Sequence, residues 1–129
     1  MNGIKLRGTG RCVPANTVTN DDLSRLVDTN DEWITTRVGI KERRILKKPV
    51  GSSYMGIIAV QRLLESTGVN PDDIDLVICP TSNPDYRFPS TASVITYGVG
   101  LKHCYAYDIQ AACAGFLVGC NDAAAYVRS

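Results

Sequence analysis

The side chain best placed for covalent chemistry is Cys113, in the run Tyr105-Ala106-Tyr107-Asp108-Ile109-Gln110-Ala111-Ala112-Cys113-Ala114-Gly115-Phe116. A strand pattern ends, small residues permit a tight turn, and the cysteine falls in the first turn of the helix that follows. A helix start offers backbone N–H groups without intrahelical partners and roughly half a positive charge, which favours a thiolate. Thiols in such surroundings are the ones that react. Ala114 and Gly115 leave the approach open to a flat acyl thioester, and the same N–H groups can meet an oxyanion. Free cysteine is just as often a small core residue, so position alone leaves both roles open.

A cysteine nucleophile works with a group that handles protons. The only histidine is His103, at the entrance to the strand whose far end leads to Cys113. About six extended residues at ~3.3 Å each keep it from the sulfur, so it reads as a loop histidine. Cys12, Cys79, Cys104 and Cys120 read as packing residues. No C-x-x-C pair occurs, which removes a zinc ribbon or a redox pair, and no metal site is expected. Cys113 and Cys120 on one helix would stand about 10.5 Å apart, beyond the ~7 Å Cα limit of a disulfide. The set points to reduced thiols in a reducing compartment.

The elements that must position Cys113 alternate between strand and helix. Ile4 to Val13 reads as a first strand, interrupted by Gly8 and Gly10 and closed by Pro14. Thr19-Asn20-Asp21-Asp22-Leu23 has the polar cap and acidic first turn of a helix start, with Leu23, Leu26 and Val27 as its buried face. A second short helix takes Thr29 or Asn30 as cap and ends before Gly39. Ser52 or Ser53 caps a third, in which Met55, Ile58, Ala59 and Leu63 recur at helical spacing until Gly68. Asp75 to Cys79 reads as a central strand, a loop from Asn83 to Pro89 leads to a helix capped by Ser90, and Cys104 to Ile109 forms another strand. From Ala114 the pattern is helical and apolar on most faces, as in a helix sandwiched between two layers, and 129 residues do not obviously supply both. This alternation predicts a layered α/β fold with a parallel main sheet. Ligand sites in such sheets lie beyond the strands' carboxyl ends, here Pro80 to Ser90 and Gln110 to Gly115.

Composition narrows the functional classes. The 129 residues, 44% hydrophobic and 21% charged, suit one domain of ordinary size. The net charge of +1 gives no global field to steer the chain to a nucleic acid. No apolar run approaches the ~18 residues of a membrane span, and the first residues lack a signal-peptide core. A cytoplasmic protein without nucleic-acid or membrane partners is expected.

Several blocks together resemble the N-terminal part of the β-ketoacyl-acyl-carrier-protein synthase III family, the initiating condensing enzymes of type II fatty-acid synthesis. They are Thr19-Asn20-Asp21-Asp22-Leu23, Val27-Asp28-Thr29-Asn30-Asp31-Glu32-Trp33-Ile34, Arg37-Val38-Gly39-Ile40 and Arg43-Arg44-Ile45. Pro71-Asp72-Asp73-Ile74-Asp75-Leu76-Val77, Phe88-Pro89-Ser90-Thr91-Ala92 and Ala111-Ala112-Cys113-Ala114-Gly115-Phe116 follow in order. The resemblance spans essentially the whole chain. It implies a thiolase-like layered α/β fold, αβαβα in the complete enzyme, usually homodimeric. Residues 1–129 would then be an incomplete N-terminal half-domain, with the C-terminal half and its catalytic histidine and asparagine absent.

The resemblance also implies roles. Cys113 would take an acyl group from acyl-CoA and pass it to malonyl-acyl carrier protein in a decarboxylative condensation. Coenzyme A enters as a thioester substrate, and no cofactor is implied. Thr29, Trp33 and Arg37 match the coenzyme A entrance. Trp33 has a large π-face and Arg37 lies one helical turn on, although a lone tryptophan is also a common core anchor. Phe88 matches a residue that borders the partner subunit's acyl pocket. Arg37 to Lys48 holds six basic residues against Glu42, a strip able to attract phosphates or an acidic carrier protein, or else a solvated turn. Val50-Gly51-Ser52-Ser53, Cys79-Pro80 and Ala114 depart from the usual pattern and leave the primer open. The isolated chain is expected to be inactive. Two alternatives stand beside this reading: a noncatalytic dimerisation or binding fragment, and a related condensing enzyme of secondary metabolism.

Overall fold

A computed structural model describes residues 4–47 and 49–129. They form two compact units, one of Val13–Pro49 and one in which 4–12 join Val50–Ser129. Lys48, the last residue of the basic strip, and the first three residues lie outside the described set.

In the smaller unit, β1 (Thr17–Thr19) pairs antiparallel with β2 (Glu42–Arg44), Val18 opposite Arg43. Helix α1 (Asn20–Ser24) starts with a capping box: Thr19 Oγ1 accepts the Asp22 N–H at 3.1 Å and Asp22 accepts the Thr19 N–H at 3.0 Å. Helix α2 (Asp31–Val38) is capped by Asn30, whose side chain accepts the Trp33 N–H at 2.7 Å, and it ends at Gly39 with φ +70°. That left-handed residue explains the glycine. Between the helices sits Asn20, only 2% exposed. Its amide donates to Asp31 Oδ1 at 2.7 Å and to the Ile40 carbonyl at 2.8 Å, and its oxygen accepts from Arg43 at 2.7 Å. One short polar side chain thus ties α1, α2 and β2 together. Leu26 and Val27 lie beyond the end of α1 and are exposed, contrary to the expected buried face, because α1 stops after five residues.

In the larger unit, β3 (Leu76–Pro80) and β4 (Tyr105–Ile109) pair in parallel, with Ile78 opposite Tyr107 and Cys79 opposite Asp108. Alternate side chains face opposite sides of the pair. On one side lies α4 (Thr91–Val99), reached by Asp108. On the other lies α5 (Gly115–Arg128), where Gly119 approaches Pro80, Ile109 and Ile78, and Tyr126 meets the Tyr107 ring at 6.4 Å. Helix α3 (Ser52–Thr67) packs on α4: Gly56 lies under Ile95, and Gly98 under Ile57. The core centres on Ala92 and Ile95.

Two expectations change here. Ile4 to Val13 is not a strand: no β partner borders it among the described residues, and its part up to Cys12 is coil that lies against α3, where Gly8 meets Thr67 and Gly10 meets the Ala59 carbonyl. A strand needs a neighbour for its backbone groups. Helix α3 is capped neither by Ser52 nor by Ser53; both are its first residues, Gly51 is the cap position, and a distant carboxylate does the capping. Helix α5, for which the 129 residues were not expected to supply both covering layers, is covered on one side only: Phe116 and Leu117 are each 72% exposed while Gly115, Gly119 and Ala124 are buried.

Candidate functional site

Strand β4 ends at the pair's carboxyl edge and α5 packs back on one face of the pair, so the chain crosses over that edge between them. Cys113 sits on that crossing, in the short 3₁₀ turn Ala112–Ala114, with its side chain exposed. It lies just ahead of the α-helix rather than in its first turn. The turn is tight: the Ala114 N–H donates to the Ala111 carbonyl at 3.0 Å, and the Gly115 N–H to the Ala112 carbonyl. Those two donors are committed to the turn, so the expected oxyanion role does not fall to them. Ala112 has φ +43°, a conformation costing an L-residue roughly 1–2 kcal/mol. Gly115 is required by packing, since a Cβ there would stand 2.9 Å from Pro80 Cβ. Backbone strain and a close helix–strand approach therefore fix how the thiol is presented.

The loop after β3 runs along the same edge. The Thr81 N–H bonds the Ile109 carbonyl at 3.0 Å, holding the start of this loop against the end of β4. Phe88 is 88% exposed and borders a cleft of about 530 Å³ together with Tyr86, Ser93, Ile109 and Gln110. Both edges singled out by the strand-end rule thus adjoin in this unit, although Cys113 does not line that cleft.

Two carboxylates that the sequence reading passed over hold this edge. Asp108, next to last in β4, accepts the N–H groups of Thr91 at 2.7 Å and Ala92 at 2.8 Å, reinforcing the Ser90 cap of α4. Asp85 in the loop accepts Ser52 Oγ at 2.8 Å and the Ser53 N–H at 3.2 Å, capping α3. Burial pushes the Asp85 carboxyl up, but hydrogen bonds from Ser53 and Ser52 outweigh it and hold the group below its ordinary value. Cys79 is held as a neutral thiol: burial first, then Asp108 and Asp85, push it up to about 11. Burial and Asp75 likewise raise Cys104. Cys12, Cys79 and Cys104 are half-buried, as packing residues should be, whereas Cys120 is exposed and lines an apolar cleft beside Phe116. His103 is exposed in the loop before β4.

In the smaller unit, Trp33 and Arg37 share one face of α2. The Arg37 guanidinium lies 4.3 Å from the centre of the Trp33 ring, and Trp33 is 52% exposed, so it is no core anchor. Thr29 is half-buried just before the Asn30 cap. The basic strip is partly spent within the fold. Lys41 pairs with Asp31 at 2.9 Å, Arg44 with Glu42 at 3.4 Å, and Arg43 turns inward to Asn20. Among the described residues no cluster of metal-ligating side chains occurs, and no helix is long and apolar enough to cross a membrane.

No protein-family profile matches the chain. A β-ketoacyl-[acyl-carrier-protein] synthase III of Bacteroides thetaiotaomicron is 54% identical over 125 residues, which cover 96% of this chain and 37% of that protein. A solved 3-oxoacyl-[acyl-carrier-protein] synthase III from Aquifex aeolicus superposes with a TM-score of 0.90 at 44% identity, over 96% of this chain and 40% of that one. A priming β-ketosynthase of a polyketide biosynthetic pathway gives 0.87 at 35% identity, over 93% and 36%. The chain spans roughly two fifths of the length of these proteins.

Proposed function

We propose that this chain, a relative of the β-ketoacyl-[acyl-carrier-protein] synthases III with part of their thiolase-like α/β fold, carries the nucleophile of a decarboxylative condensing acyltransferase. The observation that carries the reading is the exposed Cys113 on the crossing between β4 and α5, presented by the strained Ala112. In the complete protein the Cys113 sulfur attacks the thioester carbonyl of an acyl-CoA. The tetrahedral intermediate collapses, coenzyme A leaves as its thiol with the proton given up by Cys113, and the acyl group stays on sulfur. Malonyl-acyl carrier protein then loses carbon dioxide. The electron pair so released forms the new carbon–carbon bond to the acyl carbonyl, and the Cys113 thiolate departs. His103 stands in the wrong place for proton handling, so that group comes from elsewhere in the complete protein.

Thr29, Trp33 and Arg37 form the coenzyme A entrance in this proposal. Stacking of Arg37 on one face of the indole orients the ring and puts a cation beside it, suiting a purine with attached phosphates. Phe88, almost wholly exposed, reaches the acyl pocket of a partner subunit in a cytoplasmic homodimer. Lys47 with Arg37 supplies positive charge for the phosphates or the acidic carrier protein. A second reading, a condensing enzyme that primes secondary metabolism, draws support from the likeness to the polyketide priming β-ketosynthase. It shares the acylated cysteine and differs in primer.

The test uses the complete protein with acetyl-CoA and no malonyl donor. One equivalent of free coenzyme A should appear in a burst, and Cys113→Ser protein should lose it. Continuous release without a burst, or an undiminished burst in the variant, refutes the proposal.

A further inference from the structure

Phe88 is 88% exposed, so the described residues of its own chain hold the ring little through the ring itself. Its place must come from the backbone on either side, and both sides are anchored by a carboxylate. Three residues before it, Asp85 caps α3 through Ser52 Oγ at 2.8 Å and the Ser53 N–H at 3.2 Å. The N-cap position of α3 is Gly51, which offers no side-chain bond of its own. A Cβ on Gly51 would collide with the Asp85 carboxylate, so the glycine makes room for this cap. Three residues after Phe88, the N–H groups of Thr91 and Ala92 bond Asp108 at 2.7 and 2.8 Å. Carboxylates at helix starts gain from the helix dipole, and charge-assisted bonds are about twice as strong as neutral ones. An arm of three free residues sweeps up to about 10 Å; one pinned at both ends does not. Asp108 also belongs to β4, whose end leads within five residues to Cys113.

We propose that Asp85 and Asp108 are positioning residues that clamp the Phe88 loop to α3, α4 and β4 and thereby set which acyl chain lengths the enzyme accepts. The clamp fixes the Phe88 ring relative to the body of its own subunit, and so fixes how deeply the ring reaches into the partner subunit's acyl pocket. This inference rests on the roles given above to Cys113 and Phe88. Loosening the clamp lets the ring swing, which admits longer acyl groups and holds short ones less well.

The experiment measures kcat/KM of the complete protein for straight-chain acyl-CoA donors from acetyl to octanoyl, in Asp108→Asn, Asp85→Asn and wild type. Asparagine at 108 keeps one acceptor and turns an amide toward the other N–H, so one charge-assisted bond is lost. The ratio of long to short primers should rise about fivefold, the equivalent of about 1 kcal/mol. Alkylation of Cys113 by iodoacetamide should stay within about twofold of wild type. Asp85→Asn should shift the ratio in the same direction from the other end of the loop. In a Phe88→Ala background neither change should add to the shift. A common loss of rate for every primer, or an equal shift without Phe88, overturns the clamp while leaving Cys113 acylation intact. Wild-type protein that takes an acyl group from no donor overturns the underlying reading and the clamp with it.

Discussion

Replacing Asn20 by alanine removes three hydrogen bonds from a side chain that is only 2% exposed. Each such bond contributes about 1 kcal/mol net, but the larger effect is on the groups left behind. The Ile40 carbonyl loses its side-chain donor, and the half-buried Arg43 guanidinium loses its shortest acceptor and, among the described residues, keeps the Val18 carbonyl at 3.3 Å. Orphaning buried polar groups costs about 1–3 kcal/mol each, so local opening of this unit should become easier by about 3 kcal/mol. That converts to roughly a hundredfold faster hydrogen exchange for amides of β1, β2 and α2, read by mass spectrometry or NMR on the complete protein. The Asp31 carboxyl gives a second readout. The Asn20 hydrogen bond is the largest cause holding it below its ordinary value, with Lys41 next. In the variant its titration should move up toward the ordinary carboxylate range. Exchange within fivefold of wild type, or an unmoved Asp31 titration, would refute the assignment of Asn20 as the hub that ties α1, α2 and β2 together.

Other outcomes follow from the larger unit. Gly119→Ala places a methyl 3.4–3.7 Å from Pro80, Ile109 and Ile78, so it should stabilise α5 by about 0.5–1 kcal/mol. Gly115→Ala forces its methyl to 2.9 Å from Pro80 and should destabilise by about 1–3 kcal/mol; equal denaturant midpoints for the two would contradict the packing. Cys79, pushed up to about 11, should resist iodoacetamide at pH 8 while Cys113 reacts, as peptide mapping would reveal; early labelling of Cys79 would contradict its burial. The folded Asp85 carboxyl titrates below its unfolded value. Its contribution to stability is therefore complete above the ordinary carboxylate range and is lost as pH falls through the lowered folded value. Asp85→Asn should flatten the acid limb of the stability curve, and an unchanged limb would count against the α3 cap.

Local chemistry was the legible part of this chain. The Thr19, Asn30 and Ser90 caps and the terminal Gly39 and Gly68 all lie within a few residues of the groups they serve, so sequence reveals them. Alternation of strand and helix was enough to predict a parallel pair whose carboxyl edge carries both Phe88 and Cys113. What escaped was set by contacts distant in sequence. Ser52 and Ser53 looked like caps because they are the right residue types, yet Asp85, more than thirty residues on, takes that role. Asp108 reads as an ordinary strand residue until α4 is seen to start against it. The segment from Ile4 to Val13 has a strand's composition, but composition cannot say whether a neighbour strand borders it. Ala112 carries no sequence signal of its positive φ, since that conformation is imposed by the crossing from β4 to α5.

The central claim is that Cys113 is the acylated nucleophile. The most direct measurement gives the complete protein isotopically labelled acetyl-CoA, digests it without reducing agent, and locates the label by mass spectrometry. The account predicts label on the peptide containing Cys113 and none on Cys113→Ala protein. Label that persists in that variant, or that maps to Cys120 or any other residue, would contradict it.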